Sequence, residues 1–240
     1  MYEPRFYRKE GSKKLKRFHV CYRETDLLIF APEVFSDICF SAIRNLRLKL
    51  DSFIKDYPIF AETLVPIRVD DMVDDYIKEM VDKSEVVGVG PMASVAGLFA
   101  ETVGKEMLKR TDEVIVENGG DLFAMLKEDC KIGIYAGDNS PFKDKLALEI
   151  KKENMPLGIC SSSGMMGPSL SKGKADLVTI LSKSTLLADA AATAVANRVS
   201  KKNDVNSALN WGRKIEGVTG ILIIKDDNIG IWGDFRLVKR

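Results

Sequence analysis

The chain has 240 residues, of which 45% are hydrophobic and 30% charged. These proportions are those of a soluble globular protein, and the length suits one large domain or two small ones. Thirty-six Lys and Arg against 35 Asp and Glu leave a net charge of +1, which argues against a dedicated nucleic-acid binder. No apolar run approaches the ~20 residues that span a bilayer, so no membrane segment is expected. The N-terminal MYEPRFYRKEGSKKLKRF is basic with no apolar segment behind it, unlike a secretory signal, and a cytoplasmic location is expected.

Charge is uneven along the chain. Residues 1–30 carry eight Lys/Arg and four Asp/Glu (+4), while residues 51–90 carry four and ten (−6). Solvated faces account for both runs, as does a basic arm that assists an anionic ligand or meets an acidic surface. Cys21, Cys39, Cys130 and Cys160 form no CxxC pair, and His19 is the single histidine. That inventory disfavours a Cys/His zinc site and predicts reduced, mostly buried thiols. It also disfavours Ser-His-Asp or Cys-His catalysis, which would have to use His19.

In chain order, Phe18, Val20 and Tyr22 alternate before a Glu24-Thr25-Asp26 turn, predicting two strands over 15–30. A helical period runs from Glu33 to Ile54, and Pro58 and Pro66 make 57–69 an irregular crossing. A second helix places Met72, Val73, Tyr76, Ile77 and Met80 on one face. A glycine turn, Gly88-Val89-Gly90-Pro91, then leads into a third helix with Pro91 near its start. Strands follow at 114–116, 122–126, 132–135, 157–160 and 177–181, then an alanine-rich helix over 184–200 and a short helix over 205–211. The chain closes on a hairpin turning at Asp226-Asp227-Asn228. The pattern predicts an α+β fold, with helices packed on a mainly antiparallel sheet.

Four segments carry potential chemistry. In the alanine-rich helix, Thr185, Asp189, Thr193 and Asn197 recur every four residues and form one polar stripe. A carboxylate on a helix otherwise made of Ala, Leu and Val needs a compensating charge, donor or metal. Asp189 and Thr193, one turn apart, suit the hard-oxygen ligation of Mg²⁺; equally, Asp189 could cap a neighbouring segment and Thr193 bond back to its own helix. The loop after the 157–160 strand, with Ser161, Ser162, Ser163, Gly164, Lys172 and Lys174, could cradle phosphate oxygens or be a plain surface loop. It is no Walker P-loop, because Ala175 stands in place of Ser or Thr and a strand follows. Asn118-Gly119-Gly120-Asp121 is a hairpin-type turn or part of a site. Gly90 and Pro91 open a helix N-terminus, a natural place for an anion.

Taken in order, GPMASVAGLFAETVG, VENGGDLF, CSSSG and LADAAATA resemble the ApbE superfamily of FAD:protein FMN transferases, over roughly the last 150 residues. The most specific of the four is the last, which matches the family's D-x-x-x-T metal motif. The resemblance implies a single ApbE-like domain over 1–240, divergent in 1–85 and carrying the family motifs in 86–240. It implies Mg²⁺ on Asp189 and Thr193, and a flavin nucleotide such as FAD along Gly90, Pro91, Asn118, Gly119, Gly120, Asp121, Ser161, Ser162, Ser163 and Gly164. Asp121 and Ser163 are then the catalytic candidates, the partners a nucleotide and an acceptor protein, and a homodimer follows from family habit. Transferases of the family have Lys-Gly where this chain has Ala96-Gly97, an aspartate where it has Glu101, and a histidine in the region of 167–181, where it has none. These departures resemble a shorter branch of the superfamily. They leave a second reading alongside transfer, a non-catalytic ligand-binding or cofactor-maturation accessory on the same scaffold.

Overall fold

A computed structural model describes residues 15–70, 72–163 and 173–240. The first hairpin pairs β1 (Lys16–Tyr22) with β2 (Thr25–Ala31). Alternation buries Phe18 and Val20 of β1 and leaves His19 and Cys21 outside, whereas β2 is buried throughout. Helices α1 (Ser36–Asp56), α2 (Ile59–Glu62), α3 (Asp75–Val87) and α4 (Val95–Met107) follow. Cys39, Ile43, Leu46 and Leu50 are the buried stripe of α1, at helical spacing. The side chain of Asp74 caps α3 by accepting from the N–H of Tyr76 (3.1 Å), and Gly88 ends the helix in the left-handed conformation, φ 75°. The helix therefore starts after Met72 and Val73. Met72 is 92% exposed and does not belong to the apolar face that the sequence pattern gave it.

The second half contributes β3 (Val114–Asn118), β4 (Asp121–Met125), β5 (Cys130–Ile134), β6 (Leu146–Ile150), β7 (Leu157–Ser162) and β8 (Leu177–Ser182). Then come α5 (Thr185–Ala196), α6 (Val205–Gly212), β9 (Val218–Lys225), β10 (Asn228–Gly233) and β11 (Arg236–Lys239). An eight-stranded antiparallel sheet runs β1-β2-β3-β4-β7-β8-β9-β10, and β11-β6-β5 form a three-stranded sheet.

Three hydrophobic clusters make this a three-layer stack. On one face of the large sheet, α1, α3 and α4 cover β1–β4, with Phe60, Met80, Phe99 and Phe123 at the centre. On the same face, α5 and α6 cover β7–β9 through Cys160, Val178, Ile180, Ile221 and Ile223. The opposite face, with Ala124, Leu157, Ile159, Leu177 and Leu222, packs on Ile134, Leu148 and Ile150 of the small sheet. Covering both faces is why β8 is buried along its whole length. The expected α+β architecture with a mainly antiparallel sheet is the one observed. The sequence reading missed β6 and β11, whose apolar residues are hidden among Lys, Glu and Arg.

Two of the four thiols are buried, Cys39 and Cys160; Cys130 is half-buried and Cys21 exposed. The expectation of mostly buried thiols fails at Cys21, because strand alternation turns it outward with His19. Among the described residues no single helix is long and apolar enough to cross a membrane.

Helix and sheet come close where a glycine meets an aromatic ring. A Cβ on Gly104 of α4 would lie 2.1 Å from Cδ1 of Phe123. Gly→Ala in a helix interior is ordinarily stabilising by about 1 kcal/mol. Here overpacking, typically ~1–3 kcal/mol, outweighs it. Gly104→Ala is expected to lower the melting temperature, as read by circular dichroism; a rise would mean that Phe123 moves aside freely.

Candidate active site

The site grows from the crossing of α4 and α5. Ser94, at the N-cap of α4, makes no side-chain cap bond. The N–H of Gly97 donates instead to Oδ2 of Asp189, at 2.8 Å, from the second turn of α5. The converse contact also exists. Glu101 of α4, 4% exposed, accepts the N–H of Thr185, the first residue of α5. Each helix N-terminus thus faces a carboxylate carried by the other helix, which complements both dipoles. Glu101 is further balanced by Lys105, whose Nζ lies 2.5 Å from Oε1.

Close approach requires missing side chains. A Cβ on Gly97 would sit 2.5 Å from the Thr185 carbonyl oxygen, and one on Gly158 of β7 would sit 2.5 Å from the Thr185 Cα. Thr185 is gripped between α4 and β7, and its buried Oγ1 has no hydrogen-bond partner among the described residues. The thiol of Cys160, beside it, donates to the Thr185 carbonyl at 3.4 Å.

The β3–β4 turn is tied into this crossing. Gly119 (φ 68°) and Gly120 (φ 115°) supply the left-handed backbone that sets Asn118 opposite Asp121. Nδ2 of Asn118 donates to the carbonyl of Ala96 (3.2 Å), and Oδ1 of Asp121 accepts the N–H of Ser161 (3.2 Å). The fold therefore brings Asn118, Asp121, Ser161, Asp189 and the Ala96-Gly97 backbone into one neighbourhood.

Burial and neighbouring carboxylates shape the electrostatics of this neighbourhood. Burial raises the carboxyl pKa of Asp189 well above the usual range; the Asp121 carboxylate adds to the rise, and the Gly97 and Ala96 amides oppose it. Burial likewise pushes up the Cys160 thiol, with Asp121, Asp189 and Glu101 contributing in that order. Cys160 is therefore a neutral S–H beneath the carboxylates.

The predicted residues fall into distinct places. Asp189 and Thr193 share one half-buried face of α5, as the four-residue spacing requires. Gly90 and Pro91 are buried at the start of a short 3-10 turn, and a Gly90 Cβ would meet the Thr63 carbonyl oxygen at 2.0 Å. The amides of α4 that the sequence offered to an anion hold a carboxylate of the chain itself. Ser161 turns its hydroxyl to Thr179 (2.9 Å), on the sheet face away from α5. Ser162 and Ser163 are half-buried at the end of β7. Gly164 and Lys172 lie outside the described residues. Sequence reasoning names Gly97 and Glu101 only as part of departures from the family pattern and places neither Gly158 nor Cys160 in a site; the one available signal was an acidic residue inside the apolar run of α4.

Among the described residues no three His, Cys, Asp or Glu side chains form a group able to hold a metal by themselves. Mg²⁺ does not need one, since it typically takes one or two carboxylates plus waters and substrate phosphates. The Asp189 carboxylate, destabilised by its neighbour Asp121, and the Thr193 hydroxyl fit that demand.

The fold is that of an ApbE-like protein. Residues 8–231 match the family described as AbpE bacteria, and the chain belongs to that family. It is 38% identical over 199 residues to a UPF0280 protein of Methanocaldococcus jannaschii, covering 80% of each chain. It is 40% identical over 206 residues to one from Methanothrix thermoacetophila, covering 85% of this chain and 86% of the relative. Among solved structures it resembles a variant of the flavin transferase ApbE from Vibrio cholerae (TM-score 0.58, 14% identity, 92% of this chain and 97% of the other). It also resembles the flavinyl transferase ApbE of Pseudomonas stutzeri in its apo form (TM-score 0.58, 13% identity, 94% of each chain). These likenesses establish the fold.

The raised pKa of Asp189 has a measurable consequence. A carboxyl whose pKa is higher in the fold than in the unfolded chain binds its proton more tightly when native. Stability from that proton is present at low pH and is lost as pH rises through the raised value. Asp189→Asn stays neutral and keeps an oxygen for the Gly97 N–H. Without divalent metal, its melting temperature is expected to gain on wild type between pH 5 and 8, by about 2–4 °C per kcal/mol. A difference that stays flat with pH would show that the Asp189 charge carries no penalty.

Proposed function

We propose that the protein binds a flavin dinucleotide, or a related nucleotide pyrophosphate, at the α4–α5 crossing and cleaves or transfers at the pyrophosphate. The observation that carries this reading is the pair of carboxylates, Asp121 and Asp189, gathered at the first turn of α4 and raising the local cost of negative charge. Asp189 and Thr193 would hold Mg²⁺ there. Bound Mg²⁺ supplies charge neutralisation on the pyrophosphate oxygens as the phosphoanhydride breaks.

The remaining work falls to the chain. The Asn118–Asp121 turn, fixed to Ala96 and Ser161, forms a rigid wall for the nucleotide. The hydroxyls of Ser162 and Ser163 hydrogen-bond phosphate oxygens that do not leave. An acceptor hydroxyl attacks the FMN phosphorus, the P–O bond to AMP breaks, and Asp121 takes the hydroxyl proton. With water in place of the acceptor, the products are FMN and AMP.

A second reading rests on a specific observation: Asp189 already has a structural occupation as the cap of α4, and Ala96 offers no charge to a phosphate. On that reading the scaffold binds a ligand or assists cofactor maturation without turnover.

A fluorescence titration of FAD with and without Mg²⁺, on wild type and Asp189→Ala, separates the two, followed by chromatography for AMP. Mg²⁺-dependent binding lost in the variant, with AMP released by wild type, is the expected outcome. Binding that is unchanged by chelation, with no AMP, would favour the accessory role. No binding of flavin or adenine nucleotide would discard the first reading and mean that the scaffold serves another ligand.

A further inference from the structure

One buried group at the crossing has a hydrogen to give and no task in the chemistry above. Cys160 is wholly buried on β7, in a cluster whose other buried members are Val, Leu, Ile and Ala. A free thiol in such surroundings ordinarily serves as a small hydrophobe with a weak S–H donor. Here the donor is aimed. Its sulfur lies 3.4 Å from the carbonyl oxygen of Thr185, the residue gripped between Gly97 and Gly158. Its second acceptor is the side chain of Asp121, with which it also hydrogen-bonds.

The sheet register accounts for the second contact. Leu122 of β4 pairs with Ile159 of β7. One step along that antiparallel ladder, Asp121 stands opposite Cys160, and paired residues project their side chains to the same face. The next residue, Ser161, gives its N–H to Oδ1 of Asp121 but turns its hydroxyl to Thr179 on the far face. Two consecutive residues of β7 therefore approach Asp121, one with a main-chain donor and one with a side-chain donor. Burial and the surrounding carboxylates keep the thiol protonated, so it remains a donor.

We propose that Cys160 is a positioning residue for Asp121, its thiol and the Ser161 amide together fixing the rotation of that carboxylate. The proposal rests on reading Asp121 as the group that takes the acceptor's proton. The last torsion of an aspartate side chain is broad, and a single hydrogen bond leaves the carboxylate free to turn about it. A second donor from another direction removes that freedom, and the bond to a charged acceptor is the stronger of the two that the thiol can make. The Thr185 carbonyl in turn anchors the sulfur to a part of α5 that has no room to move. No proton passes through the sulfur; its work is to hold the base still.

Cys160→Ala and Cys160→Ser separate orientation from packing, because serine keeps a donor and alanine keeps none. In Mg²⁺-dependent release of AMP from FAD, Cys160→Ala is expected to lower kcat by at least about tenfold, with KM for FAD within about twofold of wild type. Cys160→Ser is expected to regain most of that loss. Cys39→Ala, which removes a buried thiol from α1, is expected to turn over as wild type does. Infrared spectroscopy of the S–H stretch needs no turnover. The band that disappears in Cys160→Ser is expected to rise in frequency in Asp121→Asn, where a neutral amide replaces the charged acceptor. Wild-type kcat in Cys160→Ala overturns the proposal. So does a serine variant as slow as the alanine one, or an S–H band that Asp121→Asn leaves in place. Wild type that releases no AMP, with a band that does move, overturns the transfer reading and the positioning role with it, while the contact itself stands.

Discussion

A helix made almost wholly of alanine, leucine and valine can be buried, but the polar groups at its start and any carboxylate along it must still be satisfied. In this protein both demands are met at once. The start of α5 is satisfied by Glu101 from α4, and the start of α4 by Asp189 from α5. Neither helix could be withdrawn without exposing an unpaired amide on one and a bare carboxylate on the other. The rest of the molecule is arranged around that exchange. The large sheet carries α5 on its back, α5 joins the two helical clusters through Leu186, and the β3–β4 turn reaches in to bind the Ala96 carbonyl.

The same exchange concentrates acid. Asp121, Asp189 and Glu101 all act on the buried thiol of Cys160, and Glu101 has Lys105 beside it. Capping and ionisation are therefore set against each other at Asp189. Its carboxylate serves as a cap, yet it is held where ionisation is costly. A protein optimised only to fold would place a neutral acceptor there, which is the physical reason for reading the residue as more than structural.

The sequence revealed this centre unevenly. The spacing of Thr185, Asp189, Thr193 and Asn197 fixed which residues share a face of α5, because helical period alone decides that. Asn118 to Asp121 read correctly as a turn between strands, because glycine pairs advertise left-handed backbone. What stayed hidden depends on contacts distant in sequence. The partners Gly97 and Asp189 are 92 residues apart, and Glu101 and Thr185 are 84 apart. No local pattern announces such pairings. Strand β6 was missed because its own Glu149 and the flanking Lys145 and Lys151 make the stretch look like a solvated loop. Met72 was misassigned because apolar periodicity continued past the Asp74 cap. Ser161 read as one of three equivalent serines, yet strand alternation gives its hydroxyl to Thr179 on the far side of the sheet.

Thr185, held between two glycines, fixes more than a packing contact. With Gly97 on one side and Gly158 on the other, α5 has no room to slide along its axis or roll about it. Its far end is also clamped, since the Arg198 guanidinium lies 3.3 Å over the Trp211 ring. The helix behaves as a gauge bar, with the depth of position 189 set from its two ends as well as by the Gly97 amide that holds the carboxylate. One residue inserted after Thr185 would turn the following side chains by about 100° and carry Asp189 off its face. The chemistry of the crossing is thus written in the length of α5 as firmly as in its composition.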